Sequence, residues 1–237
     1  MSGATVLVFD DLGALADEAA RRMASGVSAA LAKRGSASLA LSGGTSPREA
    51  YRRLAALPVD WPRVELLFAD ERCVPPEDSE SNYRLVRECL LDHIRGAGPV
   101  VRRMRGEAEP TGAAREYERL LPPRLDVLLL GVGSDGHTAS LFPGAPTLER
   151  RDARVLAVVG PEPTPRRITL APAEIERARR VLVLVQGARK APAVARALEG
   201  DGSLSDVPAR IARERTWLLD RSAASELSRE RRAPGPG

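Results

Sequence analysis

The chain is poor in aromatic residues, cysteine and histidine, and each shortage argues against a class of protein. Phenylalanine, tryptophan and tyrosine make up 3% of its 237 residues, which leaves few rings on which single-stranded nucleic acid can stack. Its two cysteines, Cys73 and Cys89, form no C-x-x-C pair, so neither a disulfide scaffold nor a structural zinc site is expected. The two histidines lie far apart and no H-E-x-x-H occurs, which argues against a metal-dependent hydrolase.

Long apolar runs and targeting signals are also missing. No stretch approaches the roughly 18 apolar residues of a membrane helix, and the N-terminus MSGATVLVFD has no secretory signal. The 36 basic and 32 acidic residues are interleaved, as on solvated helix faces rather than in a basic nucleic-acid groove. We therefore expect a cytoplasmic protein with no membrane and no nucleic-acid partner.

Strand and helix patterns alternate along the chain. Short apolar runs predict buried strands over residues 6–9, 38–41, 64–68, 125–130, 155–159, 167–170, 181–185 and 216–219. Apolar residues at helical spacing predict helices over 12–31, 48–57, 82–94, 172–180 and 188–198. This alternation predicts a single α/β domain over residues 1–222, with a mostly parallel, open, modified Rossmann-like sheet and helices on both faces. Residues 223–237 are expected to form a C-terminal tail that is disordered at its end.

The most informative stretch is GVGSDGH at residues 131–137, directly after a predicted buried strand. Its three glycines indicate a tight turn and a close approach of the backbone to a ligand. The turn ends on His137, at the edge where open α/β sheets bind ligands, and histidine suits proton transfer near neutral pH. The stretch also fits G-x-G-x-x-G, but Pro143 and Gly144 interrupt the helix that a dinucleotide site requires. The alternative is a purely structural histidine.

A second glycine-rich loop lies between a predicted strand and a predicted helix. Two adjacent glycines expose backbone N–H groups, and the positive end of the helix favours an anion. The helix is expected to start with Ser46 as N-cap and Glu49 closing a capping box. The alternative is a tight turn that binds no ligand. The residues of this predicted phosphate cradle are Ser42, Gly43, Gly44 and Thr45.

Four polar segments follow predicted strands, at residues 42–45, 70–72, 131–137 and 187–190, and would meet at one edge of a parallel sheet. In the last of them, Lys190 offers a flexible ammonium group that suits a phosphate monoester. No G-x-S-x-G nucleophile motif is present. A histidine, an aspartate or two and a phosphate cradle suit proton transfer on a small sugar phosphate, without a metal ion or an organic cofactor.

Five segments occur in order over roughly residues 36–200: SGGTSP, FADERCVP with SESNYRLV, LLLGVGSDGHTASLFPG, RRITLAP and VQGARKA. Together they resemble the successive motifs of the 6-phosphogluconolactonase family, whose superfamily includes glucosamine-6-phosphate deaminase. In the deaminase a glutamate stands five residues after the histidine, and this chain has Phe142 there. The resemblance therefore favours the lactonase.

The resemblance implies roles in catalysis for three residues. His137 is expected to be the general base that activates water against the lactone carbonyl. Asp135 is expected to shape the loop and to orient His137 or a substrate hydroxyl. Asp70 matches the aspartate that moves a proton in the deaminase, and its role in a lactonase stays open.

The resemblance also implies how the substrate is held. The cradle at residues 42–45 would bind the 6-phosphate, with charge supplied by Lys190 and Arg167. Alternation along a short strand leaves Arg166 as an alternative to Arg167. Arg72 would lie in the same pocket, near the phosphate or the carbonyl.

These expectations describe a cofactor-free hydrolase that opens 6-phospho-D-glucono-1,5-lactone to 6-phosphogluconate in the oxidative pentose phosphate route. A monomer or a weak homodimer is expected. One alternative is a sugar-phosphate isomerase or deaminase on the same fold. The other is a sugar-phosphate sensor without enzymatic activity.

Overall fold

The computed structural model describes residues 4–231 and 233–234. The strands in this part of the chain are β1 (Thr5–Phe9), β2 (Ala37–Leu41), β3 (Val64–Phe68), β4 (Asp70–Arg72), β5 (Val100–Val101), β6 (Val127–Leu130), β7 (Val155–Val159), β8 (Arg166–Leu170), β9 (Arg180–Val185), β10 (Thr216–Asp220) and β11 (Ala233–Pro234). The α-helices are α1 (Leu12–Arg34), α2 (Arg48–Ala55), α3 (Asn82–Cys89), α4 (Pro110–Leu120), α5 (Pro172–Arg177) and α6 (Ala191–Leu198).

A large parallel sheet forms the centre of the molecule, with strand order β11-β1-β10-β9-β6-β2-β3-β5. Every residue of β2 and β6 is buried, which explains why β6 is entirely apolar and β2 is apolar except for Ser38. Side chains alternate along β6: Val127 and Leu129 join the apolar cluster with α1, α2 and α3, whereas Leu128 and Leu130 join the cluster with α4, α5 and α6. The predicted α/β fold, with a mostly parallel sheet and helices on both faces, is confirmed.

A second sheet departs from the sequence-based prediction, which gave one mostly parallel sheet and a loop at residues 70–72. Strands β4, β8 and β7 form a separate antiparallel sheet, with Arg72 opposite Arg167. Ala69 links the two sheets, because its N–H donates to Leu41 O and its carbonyl accepts from Leu170 N, both at 2.8 Å. The chain therefore leaves the large sheet after β3 and pairs at once with a segment from much later in the sequence.

Helix α4 was not predicted from the sequence, although its start carries a recognisable signal. Pro110 occupies the first turn, and the Glu109 carboxylate accepts from the N–H groups of Thr111 and Gly112 at 2.8 and 2.7 Å. The helix buries Tyr117, whose hydroxyl bonds to the backbone of Phe68 at the end of β3. It therefore supports the point at which the chain passes between the two sheets.

The predicted capping box of α2 is wrong. No side chain caps this helix, and the Ser46 hydroxyl instead accepts from Lys190 Nζ at 3.4 Å. Glu49 pairs with Arg52 and Arg53 on the surface of the helix. Three other predicted helices are shorter than expected, because α3 and α5 end earlier and α6 is preceded by a 3-10 turn at Ala188–Lys190.

The segment predicted to be a C-terminal tail begins close to the core. Ala223, Ala224 and Leu227 are buried, and β11 pairs in parallel with β1. The disorder predicted for the end of the chain falls on a segment in which residues 232 and 235–237 lie outside the described residues. In the part of the chain that the structure describes, no helix is long and apolar enough to cross a membrane.

Candidate active site

A cleft of about 300 Å³ opens at the carboxyl edge of the large sheet. It lies between the loops that follow β2, β6 and β9 and the nearby strands β4 and β8 of the small sheet. Nine of the ten residues predicted for the site line it, and Asp135 lies beside it, bonded to His137. The nine are Ser42, Gly43, Gly44, Thr45, Asp70, Arg72, His137, Arg167 and Lys190.

His137 is held by Asp135 within the loop that follows β6. Its Nδ1 lies 2.6 Å from Asp135 Oδ1, and its backbone N–H donates to the same oxygen at 3.1 Å. Burial raises the pKa of Asp135, but the hydrogen bonds from His137 outweigh it and bring the pKa below its ordinary value. An ionised carboxylate can only accept, so Nδ1 carries the proton and Nε2 of the neutral ring is free to accept one. With 32% of its side chain exposed, His137 is accessible to water.

Two glycines of this loop, Gly133 and Gly136, are required by its geometry. A Cβ at Gly133 would lie 2.2 Å from His137 Nδ1, so any larger residue would displace the ring. Gly136 has a φ of +97°, in the region that favours glycine. From α6, Arg196 donates to the Asp135 carbonyl at 3.0 Å and holds the loop against the rest of the domain.

The predicted phosphate cradle follows β2 and precedes α2. Gly43 cannot carry a side chain, because a Cβ there would lie 1.8 Å from Asn82 Oδ1, and Gly44 has a φ of +92°. Ser42 anchors the loop rather than presenting its hydroxyl to the cleft: its Oγ donates to Leu129 O at 2.9 Å, and its carbonyl accepts from Tyr51 at 2.6 Å. The backbone around the two glycines is therefore the part of the loop available to an anion.

Two cations face the cleft without a carboxylate partner among residues 4–231. The Lys190 ammonium group donates to the Ser46 hydroxyl, and burial, together with the charge of the nearby Arg189, lowers its pKa. Arg167 is buried and donates to the Thr164 carbonyl at 2.8 Å, and burial followed by the charge of Arg72 lowers its pKa. The cleft therefore concentrates positive charge, which Asp70, Glu80 and Asp220 offset from a distance without forming an ion pair with Lys190 or Arg167.

The arginines of the small sheet are placed by strand pairing. Arg166 is exposed, whereas Arg167 is buried and lines the cleft, so the structure places Arg167 in the site. Arg72, opposite Arg167 on β4, donates to the Glu80 carbonyl and lies 3.7 Å from the Glu80 carboxylate. The Arg72 Nε is buried and has no hydrogen-bond partner among the described residues.

Asp70 is held by two residues that the sequence reasoning did not assign to the site. Ser140 Oγ donates to Asp70 Oδ2 at 2.7 Å, and Asn82 Nδ2 reaches Asp70 Oδ1 at 3.2 Å and its carbonyl at 2.9 Å. Both occur in segments that carry the resemblance, SESNYRLV and DGHTASLFPG, but neither residue type stands out there. The geometry makes the Asp70 carboxylate a fixed negative group in a cleft lined by cations.

Glu71 lies behind the site, facing away from the cleft. Its carboxyl group accepts from the N–H groups of Arg72, Asn82 and Tyr83 at 2.7–2.8 Å and from the Ser81 hydroxyl at 3.2 Å. Burial raises its pKa to about 7, although the backbone N–H groups oppose the shift. Glu71 thereby fixes the start of α3 against β4 and sets the position of Asn82.

Within residues 4–231 and 233–234, no group of three or more histidine, cysteine, aspartate or glutamate side chains is arranged to hold a metal ion. The expectation that the reaction needs no metal and no organic cofactor stays a prediction. The polar groups that the cleft does offer are a hydrogen-bonded histidine, an aspartate, three cations and a glycine-rich loop.

Comparison with known proteins decides the family. The family described as glucosamine-6-phosphate isomerases and 6-phosphogluconolactonases matches residues 10–219. The chain belongs to this family. It is 38% identical to the 6-phosphogluconolactonase of Mycobacterium tuberculosis over 94% of this chain and 98% of the relative. It is 39% identical to the Streptomyces coelicolor enzyme of the same name, over 94% and 95%. The predicted resemblance and the assignment as a lactone-hydrolysing enzyme are confirmed.

Solved structures of the family share the whole fold. The 6-phosphogluconolactonase of Trypanosoma brucei matches with a TM-score of 0.85 and 30% identity, over 96% of this chain and all of that one. A monomeric glucosamine-6-phosphate deaminase matches with a TM-score of 0.82 and 26% identity, over 93% and 99%. Because both activities occur on this fold, the side chains of the cleft must distinguish them.

Proposed function

We propose that the chain hydrolyses 6-phospho-D-glucono-1,5-lactone to 6-phosphogluconate, with His137 as the general base. One observation carries the proposal: Asp135 holds Nδ1 of an accessible His137, which leaves Nε2 free beside a cleft lined by the glycine cradle and Lys190. The cradle and the ammonium group suit the 6-phosphate. The imidazole suits the activation of a water molecule against the lactone carbonyl.

In the proposed reaction, Nε2 of His137 takes a proton as the water oxygen bonds to carbonyl carbon C1. The resulting tetrahedral intermediate carries a negative charge on the former carbonyl oxygen, which the positive potential of the cleft stabilises. Its collapse breaks the bond between C1 and the ring oxygen. The proton returns from His137 to that oxygen, which becomes the 5-hydroxyl of the product.

The solved deaminase structure makes an amino-sugar isomerase or deaminase the second candidate. At the position where the deaminase is expected to carry a glutamate, Phe142 packs against His137 with ring centroids 5.0 Å apart. A phenyl ring exchanges no proton, so the ring opening and proton movement of a deaminase lack a carboxylate there. Lactone hydrolysis needs no such group.

The cellular setting follows from the proposed substrate. We place the reaction in the oxidative pentose phosphate route, in the cytoplasm, with a small phosphorylated lactone as the partner. A monomer or a weak homodimer is proposed.

The test is a paired assay at equal enzyme concentration, with freshly generated lactone and with glucosamine 6-phosphate. The lactone should be hydrolysed above its spontaneous rate, and no ammonia should be released from the amino sugar. His137→Ala should lower kcat by about 10²–10⁴, the scale of general-base loss. His93→Ala is the matched control, because His93 is the second histidine and lies in an exposed 3-10 turn outside the cleft.

The outcomes separate the candidates. If His137→Ala keeps activity within about twofold of wild type, far less than general-base loss costs, His137 is not the base. Ammonia release without lactonase activity would favour the deaminase. Sugar-phosphate binding without turnover of either compound would favour a sensor.

A further inference from the structure

Phe142 contacts both the proposed base and a cation of the cleft. Its ring centroid lies 5.0 Å from that of His137, with the ring planes tilted by 50°. The Arg167 Cζ lies 5.9 Å from the same ring centroid. Both separations fall in the range of ring–ring and cation–ring attraction. The Phe142 ring, which is 8% exposed, therefore contacts two functional side chains. His137 comes from the loop after β6 of the large sheet, and Arg167 comes from β8 of the small sheet.

The ring is itself fixed by the small sheet. Phe142 packs in an apolar cluster with Leu156 and Val158 of β7 and with Ala171. Gly160 makes room for it, because a Cβ there would lie 2.4 Å from Phe142 Cε2. The small antiparallel sheet thus reaches His137 through Phe142, although no strand of that sheet supplies the histidine.

His137 needs such a contact. The Asp135 carboxylate accepts from the backbone N–H and the Nδ1 edge of His137, and Gly133 lies against that edge, but the imidazole can still tilt about its Nδ1 bond. The free Nε2 is the atom that must meet the water, and a displacement of about 1 Å at a catalytic group can cost 10²-fold in rate. A neighbouring ring that packs against the imidazole limits this tilt.

We propose that Phe142 is a positioning residue, which holds the imidazole of His137 at the angle that directs Nε2 to the attacking water. The proposal rests on the function proposed above, in which His137 is the base. Phe142 takes no part in proton transfer. Its contribution is to connect the base to the rigid apolar cluster of the small sheet.

The kinetic test compares variants at the ring with a variant in the same cluster. Phe142→Leu should lower kcat at least about tenfold and leave KM within about twofold, since misorientation affects the reaction more than binding. Gly160→Ala should lower kcat in the same way, because the added methyl displaces the ring, and it tests the proposal even if Phe142→Leu fails to fold. Leu156→Ala is the matched control: it removes apolar volume from the cluster but leaves the phenyl ring and its contact with His137 in place, so it should lower stability and lower kcat much less than Phe142→Leu.

A spectroscopic test reports the contact without any activity. The chain has two histidines, so the imidazole proton signals of His137 are identified by comparison with His93→Gln. The ring current of Phe142 should shift those signals, and the shift should vanish in Phe142→Leu and persist in Leu156→Ala. Unmoved signals in Phe142→Leu would show that the ring does not hold the imidazole.

The two proposals fail in different ways. If His137→Ala loses activity but Phe142→Leu and Gly160→Ala keep the wild-type kcat, the positioning role is overturned and the proposed function stands. An equal loss of kcat in Leu156→Ala would also overturn it, because the effect would then belong to the cluster as a whole. If His137→Ala stays active, the proposed function is overturned.

Discussion

The two edges of the large parallel sheet treat buried charge in opposite ways. At the amino edge, Asp126 accepts from Arg34 at 2.5 Å, from Arg179 at 3.2 Å and from both the N–H and the hydroxyl of Ser38. At the carboxyl edge, Lys190 and Arg167 have no carboxylate partner among residues 4–231. The charge of Asp126 is therefore neutralised by other residues of the protein, whereas the charges of Lys190 and Arg167 remain available to a ligand.

The difference shows how a functional charge can be recognised. A buried charge is costly unless it is paired and hydrogen-bonded, and Asp126 meets that requirement with four hydrogen bonds or ion pairs. Lys190 and Arg167 do not, and the cost appears as the lowered pKa of each group. An anion in the cleft, such as the phosphate of the proposed substrate, would supply the missing partner at the carboxyl edge, whereas Asp126 at the amino edge already has its partners.

The largest effect in this comparison is expected on stability, when Asp126 is removed from the amino edge. Asp126→Ala should lower the free energy of unfolding by about 3 kcal/mol, because it leaves both the buried N–H and the buried hydroxyl of Ser38 without their acceptor. Denaturant unfolding measures this change, and the lactonase assay should show an unchanged kcat/KM. Asp152→Ala, which removes an exposed ion pair with Arg150, should change stability far less. A loss of activity larger than the loss of folded protein would show that the two edges are coupled.

Removing Lys190 from the carboxyl edge should lower activity and leave stability unchanged. Lys190→Ala should lower kcat/KM for the phosphorylated lactone by a factor equivalent to about 1.5–3 kcal/mol, the scale of a charged hydrogen bond. Stability should not fall, because the variant removes a buried cation that lacks a carboxylate partner. Lys33→Ala is the control, since Lys33 is the second lysine and is exposed. Equal kcat/KM for the phosphorylated and unphosphorylated lactones would contradict the cradle assignment.

A smaller effect is expected when the pH dependence of ligand affinity is measured, and it tests whether the charge of Lys190 binds the phosphate. Below its pKa the ammonium group attracts the phosphate, and above it the attraction is lost. Since burial lowers this pKa, the affinity for 6-phosphogluconate should begin to fall at a lower pH than for an ordinary lysine. Lys190→Arg should retain affinity to higher pH, because guanidinium stays charged. Calorimetric titrations of wild type, Lys190→Arg and Lys33→Arg check this, and three identical profiles would contradict it.

No effect is expected from chelation. In the described part of the chain, the side chains at the carboxyl edge form no metal-binding cluster. Prolonged chelator treatment followed by buffer exchange should leave the lactonase rate unchanged. If activity is lost and returns only with zinc or another divalent ion, the cofactor-free prediction is wrong.

Local patterns in the sequence were enough to predict the parallel strands and the loops that form one side of the site. The apolar run that became β6 and the glycine-rich segment after it identify a buried strand and its turn, because burial and backbone freedom leave a direct mark on composition. The same reasoning located the loops that follow β2 and β9. Since these strands are parallel, their loops share one edge, and the cradle, His137 and Lys190 line one cleft. The capping box at Ser46 failed because Pro47 is the N-cap of α2, so Ser46 lies one residue before the cap, where its hydroxyl accepts from Lys190.

Only the tertiary structure decided how the second half of the site is built. Pairing of β4 with β8 joins segments about a hundred residues apart and selects Arg167 over Arg166. Ser140 reaches Asp70 across 70 positions, and Asn82 fills the space in which Gly43 lacks a side chain. Periodicity reports whether a residue is buried and in which element, whereas the identity of its partner depends on how the whole chain packs. That is why the sequence alone determined the parallel strands and their loops, and why the antiparallel sheet, which carries Asp70 and packs against Phe142 beside His137, became visible only in the folded chain.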